Sequence, residues 1–247
     1  MLTNQEIWQR VLQLNKILTN KNSDMLHKAI FTIVFLLCIN SVNSQTITEN
    51  KTGIHDGFYY SFWNDKTRGS VAMDLEPRGR YKIKWTDIGN FTAGKGWSTG
   101  KEDRVICFSG EFNGGSNGYL AVYGWTKDEL IEYYIVENYG DFVPPGDGAT
   151  SLGTFVSDEG TYNIYKTTRV NQPSIIGNAT FYQYWSVRTT KRTSGTVTFA
   201  NHAAAWKGKG MNLGKIWDYQ IMESEGYKSS GYADITVSEC VTQKLKK

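Results

Sequence analysis

Histidine and cysteine are scarce, with 3 of each in 247 residues. His27, His55 and His202 stand apart from one another and from the cysteines, so no Cys/His cluster with metal-ligand spacing is present. Each histidine reads as a surface or locally bonded residue. Charge of one sign is lacking too. The net charge is +3, and without residues 1–44 there are 23 Lys/Arg against 22 Asp/Glu, a balance of +1. No basic stripe is left to hold nucleic acid. Internal repeats are absent. The apolar run at residues 29–39 is too short for a comfortable membrane span. Proline is low at 4, whereas glycine reaches 25 and aromatic residues 14%, with 8 Trp and 15 Tyr. Chains of that kind form twisted antiparallel sheets, because aromatics favour strands and glycine supplies turns and bulges. About half of the aromatics suffice for a core of this size; the rest suit a wet, sugar-binding face.

Residues 1–24 form a polar lead that can be helical. Met25-Leu26-His27-Lys28, the apolar run and Ser41-Val42-Asn43-Ser44 then read as the three regions of a secretory signal. Translation is expected to start at Met25 and cleavage to follow Ser44, leaving Gln45 as the mature N-terminus of a secreted protein. A signal anchor is the alternative; Leu37 before Cys38 argues against lipidation. Two cysteines then remain, Cys107 and Cys240, which can form one disulfide in an oxidising compartment. The expected organisation is 1–44 upstream segment and signal, 45–239 one domain, and 240–247 a basic tail.

From Gln45 short strands follow one another, at residues 57–63, 70–76, 80–86, 90–97 and 104–109. Residues 118–134 read as two strands joined by a turn at Thr126-Lys127-Asp128-Glu129. Residues 141–153 are a long loop. Residues 161–168 and 181–190 are strands flanking a projecting hairpin at 169–180, and 217–224 and 232–237 close the series. Only residues 201–211 look helical, with Asn201 as a possible cap. Many short strands and one helix indicate an all-β fold, a two-sheet sandwich or β-jelly roll. Sequons at Asn50, Asn90 and Asn178 carry meaning only in a glycosylating host.

Glu132 and Tyr134 lie two residues apart and so share one face of their strand, with Ile131 and Tyr133 on the other. Cleaving a glycosidic bond takes two carboxyl groups across a cleft. Glu132 and Glu225 suit that work, with Glu137 and Glu223 as rivals. Parity weakens Glu137, five residues from Glu132, but not Glu223, which shares the face of Glu225.

These residues carry a resemblance. Tyr123-Gly124-Trp125-Thr126, Leu130-Ile131-Glu132-Tyr133-Tyr134, Tyr219-Gln220 and Glu225-Gly226-Tyr227-Lys228-Ser229-Ser230-Gly231 resemble the family 11 glycoside hydrolases, the β-jelly-roll endo-1,4-β-xylanases. So do Gly94-Lys95-Gly96-Trp97, Pro173-Ser174-Ile175, Gln183-Tyr184-Trp185-Ser186-Val187-Arg188 and Gly210-Met211-Asn212-Leu213-Gly214, in unbroken order from about residue 57 to 237. The resemblance implies two twisted antiparallel sheets with one short α-helix around a long cleft. It implies retaining endo-hydrolysis of β-1,4-xylan, with Glu132 as nucleophile and Glu225 as acid/base, their carboxyls roughly 5–5.5 Å apart. It further implies that Pro173 belongs to a thumb over the substrate and that Tyr123 and Tyr134 flank the nucleophile. Arg169 and Gln183 match polar cleft residues, Trp63 a stacking platform and Asn90 the neighbour of the acid/base; Tyr219 joins the substrate-binding set. No cofactor is implied. The expected partners are xylan and xylo-oligosaccharides, with no nucleic acid, no membrane after signal removal, and a monomeric state. A non-catalytic carbohydrate-binding jelly roll, a β-glucanase-like sandwich and a purely structural secreted sandwich are the competing readings.

Overall fold

A computed structural model of the chain describes residues 5, 8–10, 12–13 and 44–240. The chain divides into two units, Met1–Val42 and Asn43–Lys247. In the first, the described residues are helical; residues 25–43 of the expected signal lie outside the described residues, as does most of the tail, while Ser44 and Gln45, on either side of the expected cleavage, are described and exposed.

The second unit is built from strands β1 (Gln45–Ile47), β2 (Lys51–His55), β3 (Phe58–Asn64), β4 (Ser70–Leu75), β5 (Arg80–Thr86), β6 (Asn90–Trp97), β7 (Val105–Asn113) and β8 (Gly118–Thr126). After these come β9 (Ile131–Tyr139), β10 (Thr154–Ser157), β11 (Gly160–Ser174), β12 (Gly177–Arg188) and β13 (Ser194–Thr198). A helix, Phe199–Lys207, precedes β14 (Trp217–Tyr227) and β15 (Gly231–Glu239). Six strands form one sheet in the order β1-β4-β5-β15-β7-β13, and nine form the other, β10-β11-β12-β9-β8-β14-β6-β3-β2. This is the all-β jelly roll the sequence predicts. One pairing departs from the expected antiparallel pattern: β9 and β12 run parallel. The long loop and the β10–β11 excursion between them supply the crossover that a parallel pair needs.

The core lies between the sheets. Alternation fills it: Tyr81, Ile83 and Trp85 of β5 point inward from the smaller sheet, and Ile131, Tyr133 and Ile135 of β9 from the larger. The opposite face of the larger sheet carries a second aromatic cluster, including Tyr119, Tyr123, Trp125, Tyr134, Phe181 and Trp185. Every residue of β8 is therefore buried, which explains why its sequence is an apolar run without alternation. The predicted turn after β8 is present, and the Asp128 carboxylate fixes it by accepting from the Lys215 and Ile216 amides at 2.8 and 2.9 Å.

Three expectations need correction. The helix starts at Phe199 and stops at Lys207, with Thr198 as N-cap. Asp158 holds that cap by accepting from the Thr198 amide and hydroxyl at 2.8 and 2.7 Å, while Asn201 sits in the first turn and donates to Ser157 Oγ at 3.0 Å. His202 is neither exposed nor bonded. It is fully buried against the rings of Phe155, Tyr162 and Trp206, with no hydrogen-bond partner at either ring nitrogen among the described residues. Finally, the projecting hairpin at 169–180 is itself stranded, since β11 and β12 pair out to Ser174↔Gly177 with one irregularity between Arg169 and Gln172. Gly177 turns the tip with φ 93°, a conformation glycine adopts without strain.

Cys107 and Cys240 are joined by a disulfide, their Cα atoms 5.4 Å apart. It ties the end of the described chain to β7.

Candidate active site

Strand register decides which side chains meet. Glu132 of β9 stands opposite Trp125 of β8 and Gln183 of β12. Tyr134 stands opposite Tyr123 and Trp185 in the next row of the same face. Glu225 of β14 shares a row with Tyr119 of β8, Thr92 of β6 and, one strand further out, Trp63 of β3. The sequence-predicted residues Trp63, Tyr123, Glu132, Tyr134, Gln183 and Glu225 thus lie on one face of the larger sheet, and parity holds as expected. Glu137 points to the core side, where its carboxylate pairs with Arg192 and accepts from the Tyr162 hydroxyl at 2.7 Å.

Glu132 is 6% exposed and surrounded by donors. Tyr123 donates to its Oε1 at 2.7 Å, Tyr134 to the same oxygen at 3.0 Å, and Gln183 Nε2 to Oε2 at 2.6 Å. Each donor is itself held. Trp125 Nε1 donates to the Tyr123 hydroxyl at 2.8 Å; Thr167 Oγ1 donates to Gln183 Oε1 at 2.9 Å and accepts from Trp185 Nε1 at 3.0 Å. Trp125, Thr167 and Trp185 are positioning residues to which the sequence reading assigned no role. The signal was available in the period-two spacing of Tyr123 with Trp125 and of Gln183 with Trp185.

Burial pushes the Glu132 carboxyl up, and the hydrogen bonds from Gln183, Tyr123 and Tyr134, with the charge of Arg169, work against it. Hydrogen bonds to the charged form favour ionisation, so Glu132 is better supported as a carboxylate than a partnerless buried acid, although burial leaves it raised on balance. Glu225 has a different surrounding. Burial, then the neighbouring Glu132 charge, pushes its carboxyl up to about 8. The Tyr134 hydroxyl lies within hydrogen-bonding reach of Glu225 as well, so one O–H stands between the two groups. Burial also raises Tyr123 and Tyr134 well above the ordinary phenol range; both remain neutral donors. Burial raises both carboxyls, but only Glu132 is offset by three committed hydrogen-bond donors, so the two groups sit in unequal environments.

The other predicted residues surround this pair. Asn90 pairs with Tyr227 on the β6 strand beside Glu225, half-buried, its Oδ1 without a partner among the described residues. Tyr219 stacks on Tyr59 with centroids 5.6 Å apart and approaches Tyr123 at 5.9 Å. Arg169 is exposed at the base of the hairpin, where its guanidinium reaches Gln172 at 3.4 Å and contributes charge at both carboxyls. Pro173 is exposed near the hairpin tip. Glu223, the rival of Glu225 by parity, is fully buried between them in register, opposite Gly94 and Ala121. Among the described residues no group of three or more His, Cys, Asp or Glu is arranged to hold a metal ion.

Comparison with known proteins agrees with this geometry. A family model described as Glycosyl hydrolases family 11 matches residues 55–236. The chain is 53% identical over 190 residues to Endo-1,4-beta-xylanase 3 of Pyricularia oryzae, covering 77% of this chain and 80% of that protein. It is 52% identical over 201 residues to Endo-1,4-beta-xylanase 11A of Botryotinia fuckeliana, covering 81% and 87%. With Endo-1,4-beta-xylanase 2 of Rhizopus oryzae the identity is 53% over 199 residues, covering 81% and 90%. The matched span runs from the end of β2 into β15 and contains most of both sheets, both carboxyl groups and the donors around them: the chain belongs to glycosyl hydrolases family 11.

Proposed function

We propose that this protein is a secreted endo-1,4-β-xylanase that cleaves xylan with retention of configuration. The observation that carries the reading is the unequal environment of two carboxyls on one aromatic face. Glu132 accepts three hydrogen bonds, whereas Glu225 shares only the Tyr134 hydroxyl and is pushed up to about 8 by burial and the Glu132 charge.

In the first step Glu225 gives its proton to the glycosidic oxygen while Glu132 attacks the anomeric carbon, forming a glycosyl ester and releasing the leaving sugar. The three donors hold one Glu132 oxygen pair in place, so attack needs no reorganisation of the nucleophile. Esterification removes the Glu132 charge. That charge helps keep Glu225 protonated, so its loss lets Glu225 act as base toward water in the second step. Water then displaces the ester at the anomeric carbon, Glu225 regains a proton, and configuration is retained. Trp63, Tyr219, Asn90, Arg169 and Pro173 are assigned to binding the sugar chain on either side of the reacting bond.

The catalytic domain is assigned to residues 45–239, acting as a monomer, and residues 1–44 to an upstream segment and signal. The Cys107–Cys240 disulfide supports export to an oxidising compartment. N-terminal mass spectrometry of secreted material tests the processing: Gln45 at the start is expected, and an intact Met1 contradicts it. Glu132→Gln and Glu225→Gln each test the chemistry. Both are expected to fold and to lose nearly all hydrolysis of xylan, and unchanged turnover in either overturns the assignment.

A further inference from the structure

The larger sheet carries a third carboxyl that the mechanism above does not use. Glu223 is fully buried, and neither of its oxygens has a hydrogen-bond partner among the described residues. It lies on the cleft side of β14: Ile221, at the same parity, packs in the Tyr123–Tyr134 cluster, while Met222 packs in the intersheet core. The residues opposite are Gly94 on β6 and Ala121 on β8. Their small size leaves room for a glutamate. A buried polar group without a partner is costly, and a neutral acid in that position is a hydrogen-bond donor in search of an acceptor.

The matching deficiency is two residues away. Glu225 follows Glu223 on the same face, about 6.6 Å along the strand, a gap two glutamate side chains can close. Its Oε2 is likewise buried without a partner. Protonated, Glu225 tolerates that. When Glu225 gives up its proton it becomes a carboxylate lacking a donor, because the one hydrogen of the nearby Tyr134 hydroxyl is already committed to Glu132 at 3.0 Å.

We propose that Glu223 is a positioning residue for Glu225: it keeps its own proton and turns its O–H onto the carboxylate that Glu225 becomes after protonating the leaving sugar. One proton moves, from Glu225 to the glycosidic oxygen, and Glu223 ends each step as it began. The inference rests on the acid/base role assigned to Glu225. Burial first, then the charges of Glu225 and Glu132, hold the Glu223 carboxyl well above its ordinary range, which keeps the donor hydrogen in place. The other titratable groups facing it are Tyr219 on its own strand, Tyr119 and Tyr123 from β8 and Tyr134 from β9; Tyr81 of the smaller sheet lies across the sheet in the core, at Ser224. Burial raises all of these phenols, so none competes as an anion near neutrality. From β6 the residues at this face are Gly94 and Thr92, which do not titrate.

The test compares wild type, Glu223→Leu and Glu223→Gln in two measurements: the pH profile of kcat/KM on a xylo-oligosaccharide, and the titration of Glu225 by NMR of 13C-labelled glutamate. A donor to the charged form lowers the acid's pKa. Glu223→Leu is therefore expected to move the alkaline limb and the Glu225 titration up by about one pH unit. Glu223→Gln, whose amide still donates, is expected to stay near wild type. Coincidence of all three curves, or a downward shift in the leucine variant, overturns the proposal; so does finding Glu223 ionised at neutral pH. If wild type cleaves no xylo-oligosaccharide, the functional reading fails, and the NMR titration still decides whether Glu223 acts on Glu225.

Discussion

The indole of Trp185 lies flat on the phenol of Tyr134, ring centroids 4.0 Å apart and planes 7° from parallel. Strand register brings the two together, since Trp185 and Tyr134 are partners across the parallel β9–β12 pair. The stack fixes the ring that presents its hydroxyl to Glu132 at 3.0 Å. Trp185 is anchored in turn by its N–H to Thr167. Tyr134→Phe keeps the stack and removes the hydrogen bond. A hydrogen bond to a charged group contributes about 1.5–3 kcal/mol, so kcat/KM is expected to fall about 10- to 100-fold. The acid limb of the pH profile should move up, because the Glu132 carboxylate has lost a donor. Steady-state kinetics across pH check both.

In the proposed mechanism the alkaline limb is assigned to Glu225. Its carboxyl is pushed up to about 8, so kcat/KM is expected to fall as pH rises through that value. The sign for stability follows from linkage. A group whose folded pKa is raised contributes stability that is fully present below the unfolded value, about 4.3 for glutamate, and lost as pH rises through about 8. Glu225→Gln should therefore gain Tm relative to wild type between pH 5 and 8. Calorimetry over that range checks it.

His202 works in the opposite direction. Burial holds its imidazole down to about 3 from an ordinary value of 6.5. Stability associated with the neutral ring is present above 6.5 and lost as pH falls toward 3. His202→Phe, which keeps an aromatic ring among Phe155, Tyr162 and Trp206, is expected to lose less Tm than wild type between pH 7 and 4. Parallel thermal melts check this.

The disulfide joins Cys107 of β7 to Cys240, just past β15, in the smaller sheet, away from the face that carries Glu132 and Glu225. Replacing both cysteines by serine is expected to cost about 2–5 kcal/mol of stability and to leave kcat at 25 °C unchanged. Denaturant unfolding and initial rates check the two halves separately.

Local periodicity carried the parts of this site that depend on a single strand. The shared face of Glu132 and Tyr134 and the weakening of Glu137 follow from alternation, and the turn at Thr126-Glu129 from a polar segment between two apolar arms. What depended on long-range contact was less legible. Parity cannot separate Glu223 from Glu225, because the difference lies in neighbouring strands: small Gly94 and Ala121 flank Glu223, while Thr92 and Tyr119 flank Glu225. The outer hairpin of β11 and β12 shows no alternation, since it is exposed through most of residues 166–180 and its ladder of backbone hydrogen bonds leaves no sequence trace. Asn201 has the composition of a helix cap, but the side chain that holds the N-cap belongs to Asp158, 40 residues earlier.

The most direct measurement is reducing-sugar release by purified residues 45–247 on xylan and on carboxymethylcellulose in parallel, with Glu132→Gln as control. The account predicts release from xylan alone, lost in the control. Binding to xylan without release, or release that survives Glu132→Gln, contradicts it.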